Sequence, residues 1–211
     1  MADEVTSLIY VGDPMCSWCW GFAPEIESLA GELPTEVVVG GLRPGPMAQP
    51  IDDRMAGTLE HHWEEIATRT GQPFDTTFLE RRDGWVYDTE PAAIAVTQMR
   101  EMNEPRTLDY FTDIQMAFYG RGKDVTDFEV LADLAGGYDV DQEAFAAAVE
   151  TDEAKRRAWR DFSRARNWGI SGFPALVGDL GDGRLALLAR GWTRADTIRG
   201  RIASLAEAKS Q

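Results

Sequence analysis

The segment DPMCSWCWGF (residues 13–22) follows the apolar, β-rich run TSLIYVG (6–12) and opens a stretch whose apolar residues return at helical spacing. Both cysteines of the chain, Cys16 and Cys19, lie in it, with two residues between them. A strand, a tight turn and a helix are therefore expected here, with the cysteines on the first helical turn. Positions i and i+3 of a helix start put both sulfurs on one face, and the free amides and positive dipole end stabilise a thiolate at the first. Cys16 is thus the expected nucleophile, and Cys19, one turn deeper, the thiol that resolves a mixed disulfide. Ser17 and Trp18 add no positive charge, and the carboxylate of Asp13 opposes ionisation wherever it faces the thiol. The motif leaves the direction of redox chemistry open.

Around this feature the pattern changes twice. Helical periodicity continues through Trp20, Ala23, Ile26 and Leu29, with Pro24 inside it and expected to kink the helix. TEVVVGGLR (35–43) reads as a second strand, giving a parallel strand–helix–strand unit. After PGPMAQP (44–50) the periodicity turns helical for about a hundred residues. One stripe is Met55, Leu59, Trp63 and Ile66, and another is Leu108, Phe111, Ile114 and Phe118. Thr89 is the expected cap of the helix through Ile94, Val96 and Met99, and Thr126 with Glu129 reads as a capping box. A helix over 151–170 leads back to PALVGDL and RLALLARGW, an antiparallel hairpin around GDG. Thr193 with Asp196 then reads as the cap of a last helix through Ile198, Ile202 and Leu205. The expected fold class is α/β, with residues 1–51 and 152–211 in one domain and 52–151 as an inserted helical domain.

Composition narrows the partners. With 36 acidic against 21 basic residues the formal charge is −15, which repels phosphate backbones and anionic lipid. Nucleic acid and membrane are not expected partners, and oligomeric state is not legible. The opening MADEVTSLIYVGD has acids where a secretory signal has a basic region, and no run approaches the ~18 apolar residues of a membrane helix. A cytoplasmic location is expected, and in a reducing compartment two cysteines read as redox, catalytic or metal-binding rather than as a structural staple. A metal knuckle needs further ligands; only His61 and His62 are available, and adjacent positions on a helix diverge. No metal or other cofactor is expected.

A second element then adds weight to the first. DPMCSWCWGF resembles the active-site turn of the DsbA family of thioredoxin-fold oxidoreductases, and GISGFPALV (169–177) resembles that family's proline loop. The resemblance implies a thioredoxin-like fold carrying the helical insertion, with Pro174 as a cis-proline opposite the dithiol and Phe173 just before it. Proline donates no hydrogen bond, so the Phe173 backbone is left free to pair with an extended polypeptide. Phe173, Pro174 and Trp18 are the expected substrate-binding residues, Trp18 and Trp20 being either an apolar rim or core anchors. The implied activity is thiol–disulfide exchange or isomerisation through Cys16 and Cys19, with protein or small-molecule thiols and disulfides as partners, glutathione among them.

Two other readings compete. Kappa-type glutathione transferases and 2-hydroxychromene-2-carboxylate isomerases resemble the same fold, but typically have serine where Cys16 stands and lack the pair. A non-catalytic holdase would keep the scaffold for its apolar surface; seven tryptophans permit that without demanding it.

Overall fold

A computed structural model describes residues 4–80 and 84–207. Elements are numbered along the chain. β1 (Ser7–Gly12) leads through a short turn to α1 (Ser17–Ala30) and on to β2 (Thr35–Val39). β1 and β2 are parallel, with Ile9 opposite Glu36 and Val11 opposite Val38. Far along the chain, β5 (Ala175–Asp179) pairs antiparallel with β1, and β6 (Leu185–Arg190) antiparallel with β5, giving the order β2-β1-β5-β6.

Alternation along β1 divides the core. Leu8 and Tyr10 point to the side where Trp20, Phe22, Ile26 and Leu29 of α1 are buried, together with Ile198 of α8 (Ala195–Glu207). Ile9 and Val11 point to the other side, with Val38, Ala165, Ala175 and Val177. Both faces are covered, which is why β1 reads as a continuous apolar run. Each large side chain so buried contributes about 1.5–3 kcal/mol.

Between β2 and β5 lies the helical insertion: α2 (Asp53–Thr70), α3 (Glu90–Met102), α4 (Thr107–Gln115), α5 (Phe128–Ala135) and α6 (Gln142–Val149). α7 (Asp152–Asn167) returns to the sheet. Leu59, Trp63, Ile66, Phe111, Ile114 and Phe118 are buried as their spacing predicts, while Met55 and Leu108 are only partly buried. The insertion is not wholly helical: β3 (Gln49–Pro50) pairs antiparallel with β4 (Val86–Tyr87). A two-residue ladder is too short to leave a period in the sequence.

α1 runs on through Pro24 as the periodicity expects, and the Trp20 carbonyl, left without its helical donor, accepts from the Gln72 side-chain amide at 2.9 Å. Several other local expectations are corrected. β2 stops at Val39, not at residue 43, because Gly41 has a positive φ of 73° that leaves the β region. The cap of α5 is Asp127, whose carboxylate accepts from the Glu129 amide, while the Thr126 hydroxyl is donated to Asp124. Thr89 accepts from the Arg43 amide rather than from its own helix, and Asp88 accepts from the Glu90 amide. The Thr193 hydroxyl donates to the Gly191 carbonyl; the first amide of α8, on Ala195, is taken by Glu25 of α1 at 2.7 Å.

Candidate active site

The turn between β1 and α1 is built around a buried carboxylate. Asp13 is wholly buried; its Oδ1 accepts from the Met15 amide at 2.9 Å and its Oδ2 from the Leu42 amide at 2.7 Å. The Cys16 amide donates to the Asp13 carbonyl at 3.0 Å and closes the turn. Asp13 thus joins the dithiol turn to the chain leaving β2. Burial pushes its carboxyl up to about 6, against the lowering effect of the two amides, of the Thr89 hydroxyl and of Arg43.

Cys16 occupies the N-cap of α1, where no side chain caps the helix and no acid sits in the first turn. That is the arrangement in which amides and helix dipole face a sulfur without a competing ligand. Both cysteines are free thiols; Cys16 is 6% exposed and Cys19 fully buried. Burial pushes the Cys19 thiol well above its ordinary value, and neighbouring Cys16 pushes it further, with the Asp13 amide and Tyr10 hydroxyl acting in the opposite sense. The outer thiol is therefore the accessible one, and the inner thiol stays protonated until it is called on to react.

The dithiol turn and the proline loop meet at this point. The Phe173–Pro174 peptide is cis, and the Cys16 thiol donates to the Phe173 carbonyl over 3.7 Å. Phe173 packs against the chain after β2: a Cβ on Gly40 would fall 2.1 Å from its ring. Gly40 is held by donating to the Gly12 carbonyl at 2.7 Å, so the ring rests on a fixed strip of backbone. Pro174 is buried, and its carbonyl accepts from Gly191 at 2.7 Å.

The tryptophans of the motif divide their roles. Trp20 is a core anchor, 2% exposed, with its indole N–H donated to the Pro73 carbonyl at 2.9 Å. Trp18 remains half-buried at the rim, under the guanidinium of Arg69 at 5.6 Å. Several residues here carry no signal in the sequence. Arg69 also lies over Trp192 at 4.9 Å, and that indole donates to the Gly21 carbonyl at 3.1 Å. Tyr87 donates its hydroxyl to the Met15 carbonyl, and Arg43 stacks on its ring at 4.9 Å. These residues come from the loop after β2, from α2, from β4 and from the loop beyond β6, and only the fold brings them to the dithiol. Among the described residues no group of three or more His, Cys, Asp or Glu side chains is placed to hold a metal ion.

A strand-turn-helix dithiol facing a cis-proline loop, with helices inserted between the two, is what the DSBA-like thioredoxin domain comprises, and the model of that family matches residues 8–203. The chain belongs to the DsbA-like thioredoxin family. Solved structures agree. A protein disulfide isomerase candidate of Nitrosomonas europaea is 34% identical, with a TM-score of 0.86 over 98% of this chain and 100% of that one. The cytosolic disulfide reductase DsbM of Pseudomonas aeruginosa is 24% identical, with a TM-score of 0.77 over 96% of this chain and 99% of DsbM. A second structure of DsbM, with GSH, gives 25% identity and a TM-score of 0.74 over 94% and 98% of the two chains. Among curated proteins, the ClpXP adapter protein SpxH of Bacillus subtilis is 23% identical over 165 residues, which are 78% of this chain and 55% of SpxH. The chain thus spans about half the length of the curated relatives it matches. No described helix of this DsbA-like chain is long and apolar enough to cross a membrane.

Proposed function

We propose that this DsbA-like protein is a cytoplasmic thiol–disulfide oxidoreductase working through Cys16 as nucleophile and Cys19 as resolving thiol, with glutathione among its small-molecule partners. The observation that carries the reading is the pairing of a barely exposed thiol, under the Phe173 carbonyl, with a fully buried one. In the reductive direction the Cys16 thiolate attacks one sulfur of a substrate disulfide. A Cys16–substrate disulfide forms, and the other substrate sulfur leaves with the electron pair and takes a proton. Cys19 then gives up its proton and attacks Cys16, forming the Cys16–Cys19 disulfide and releasing the second substrate thiol. Two glutathione molecules return the protein to the dithiol, forming oxidised glutathione by the same exchange. The high Cys19 pKa suits this order, because the inner thiol stays protonated and does not compete for the substrate. Similarity to a cytosolic disulfide reductase that has been solved with GSH supports the reductive direction and the compartment. Phe173 offers backbone for an extended substrate, and Trp18 an apolar rim, as the site residues beyond the dithiol.

The test uses two variants and one potential. Cys16→Ser is expected to abolish glutathione-dependent disulfide turnover, and Cys19→Ser to accumulate a mixed disulfide on Cys16 visible by mass spectrometry. Equilibration with glutathione is expected to place the pair near the thioredoxin end of the scale, about −270 mV. Unchanged turnover in Cys16→Ser overturns the mechanism, and a potential near about −120 mV overturns the reductive direction.

A further inference from the structure

In a chain with a large excess of acids, several arginines find a carboxylate. Arg100, Arg106, Arg157, Arg164 and Arg199 each do. Arg43 and Arg69 do not: among the described residues neither is in an ion pair, and each lies on an aromatic ring bound to the dithiol turn. Arg43 stacks on Tyr87, whose hydroxyl holds the carbonyl of Met15, the residue before Cys16. Arg69 lies over Trp18, two residues after Cys16, and over Trp192, which is anchored to the Gly21 carbonyl. Asp13 is the acid that faces Arg43, and its two oxygens are already occupied by the Leu42 and Met15 amides.

A guanidinium that lies over an aromatic ring and makes no ion pair keeps its N–H donors for a ligand, and its planar fork suits a carboxylate. The rest of the chain makes such a device useful. A formal charge of −15 repels an anionic thiol until it comes within about a Debye length of local positive charge, ~8 Å at physiological salt.

We propose that Arg43 and Arg69 form a carboxylate-recognition site beside Cys16, so that the small thiols and disulfides that react there are the carboxylate-bearing, anionic ones rather than neutral or cationic ones. The proposal rests on Cys16 being the reactive thiol. It names the substrate class by chemistry: a thiol with carboxylates within a few bonds of its sulfur.

The experiment starts from the unmodified protein with its Cys16–Cys19 disulfide formed. Reduction is followed by stopped-flow tryptophan fluorescence with glutathione, glutathione diethyl ester and cysteamine, each rate being expressed per thiolate. Glutathione is expected to react several-fold faster than its ester, with cysteamine slowest, and the advantage is expected to shrink as salt rises. Arg43→Gln and Arg69→Gln are each expected to lower the glutathione-to-ester ratio by about three- to fivefold, the range of a partly exposed ion pair. Arg69→Lys keeps the charge but not the fork, and should restore the ratio only in part. Equal rates for glutathione and its ester in the unmodified protein, or an unchanged ratio in the double variant, overturn the recognition site and leave the dithiol chemistry standing. An oxidised protein that reacts with none of the three thiols overturns both.

Discussion

At Asp13 a single side chain determines where the dithiol stands and sets a pH dependence. Its carboxylate takes amides from Met15 and Leu42, so the turn that carries Cys16 is tied to the chain beyond β2. Burial raises its pKa to about 6 from an ordinary 3.8, so the folded protein holds this proton more tightly than the unfolded chain does. The sign follows directly. Asp13's contribution favours the fold most below about pH 4, and it is lost as pH rises through about 6, a change of about 2–3 kcal/mol. Urea unfolding from pH 4 to 7 is expected to show this slope in the difference between the native protein and Asp13→Asn, which has no proton to gain. A difference flat across that window, or a carboxyl titration by NMR near 4, overturns it. Sequence reasoning reached Cys16, Cys19, Trp18, Phe173 and Pro174 because each sits in a motif with local chemistry. Arg43, Arg69, Tyr87 and Trp192 stayed invisible because their position at the dithiol is created only by long-range packing.

Elements were legible wherever one face is buried over several turns. The stripe on α2 and the alternation in β1 set helix and strand without help from the rest of the chain. Helix ends were less legible, for an identifiable reason. Thr126 and Thr193 both satisfy the local pattern of a cap, yet one hydroxyl goes to Asp124 and the other to Gly191. The α8 amide on Ala195 is met instead by Glu25, 170 residues away on α1, a partner no local rule identifies. Glu25 is thereby a cap supplied across the core, joining the helix of the dithiol to the last helix of the chain. Glu25→Ala is expected to cost about 1 kcal/mol, and Glu25→Gln, which keeps an acceptor, clearly less. Chemical denaturation of the two variants measures the difference; equal losses would mean that the carboxylate's charge, not its acceptor, does the capping.

On the scale of the whole molecule, the insertion and the thioredoxin-like part share one interior. A continuous apolar cluster runs from Leu8, Phe22 and Ile26 through Trp63, Phe111 and Phe118 to Phe145 and Phe162. A polar tie reinforces it at the sheet edge. Arg100 of α3 donates to the Val37 carbonyl at 2.6 Å and to both oxygens of Asp161 on α7, and Asp161 in turn accepts from the Val39 amide at 3.1 Å. One ion pair therefore joins an inserted helix, the returning helix and the outer strand β2, and it satisfies backbone groups that an edge strand would otherwise leave open. With Asp161 only 8% exposed, removing its partner leaves a carboxylate in the interior with one amide for company. Arg100→Met is expected to destabilise the protein by about 3 kcal/mol, mostly through that orphaned charge. Replacing both residues by apolar ones of similar size is expected to recover part of the loss, although the Val39 amide and Val37 carbonyl then go unpaired. A shared core predicts the mode of failure as well. Heating either protein should give one calorimetric transition with matching calorimetric and van't Hoff enthalpies. Two resolved transitions would show that the insertion and the sheet melt as separate units, and the role of Arg100 would shrink to that of a surface tie.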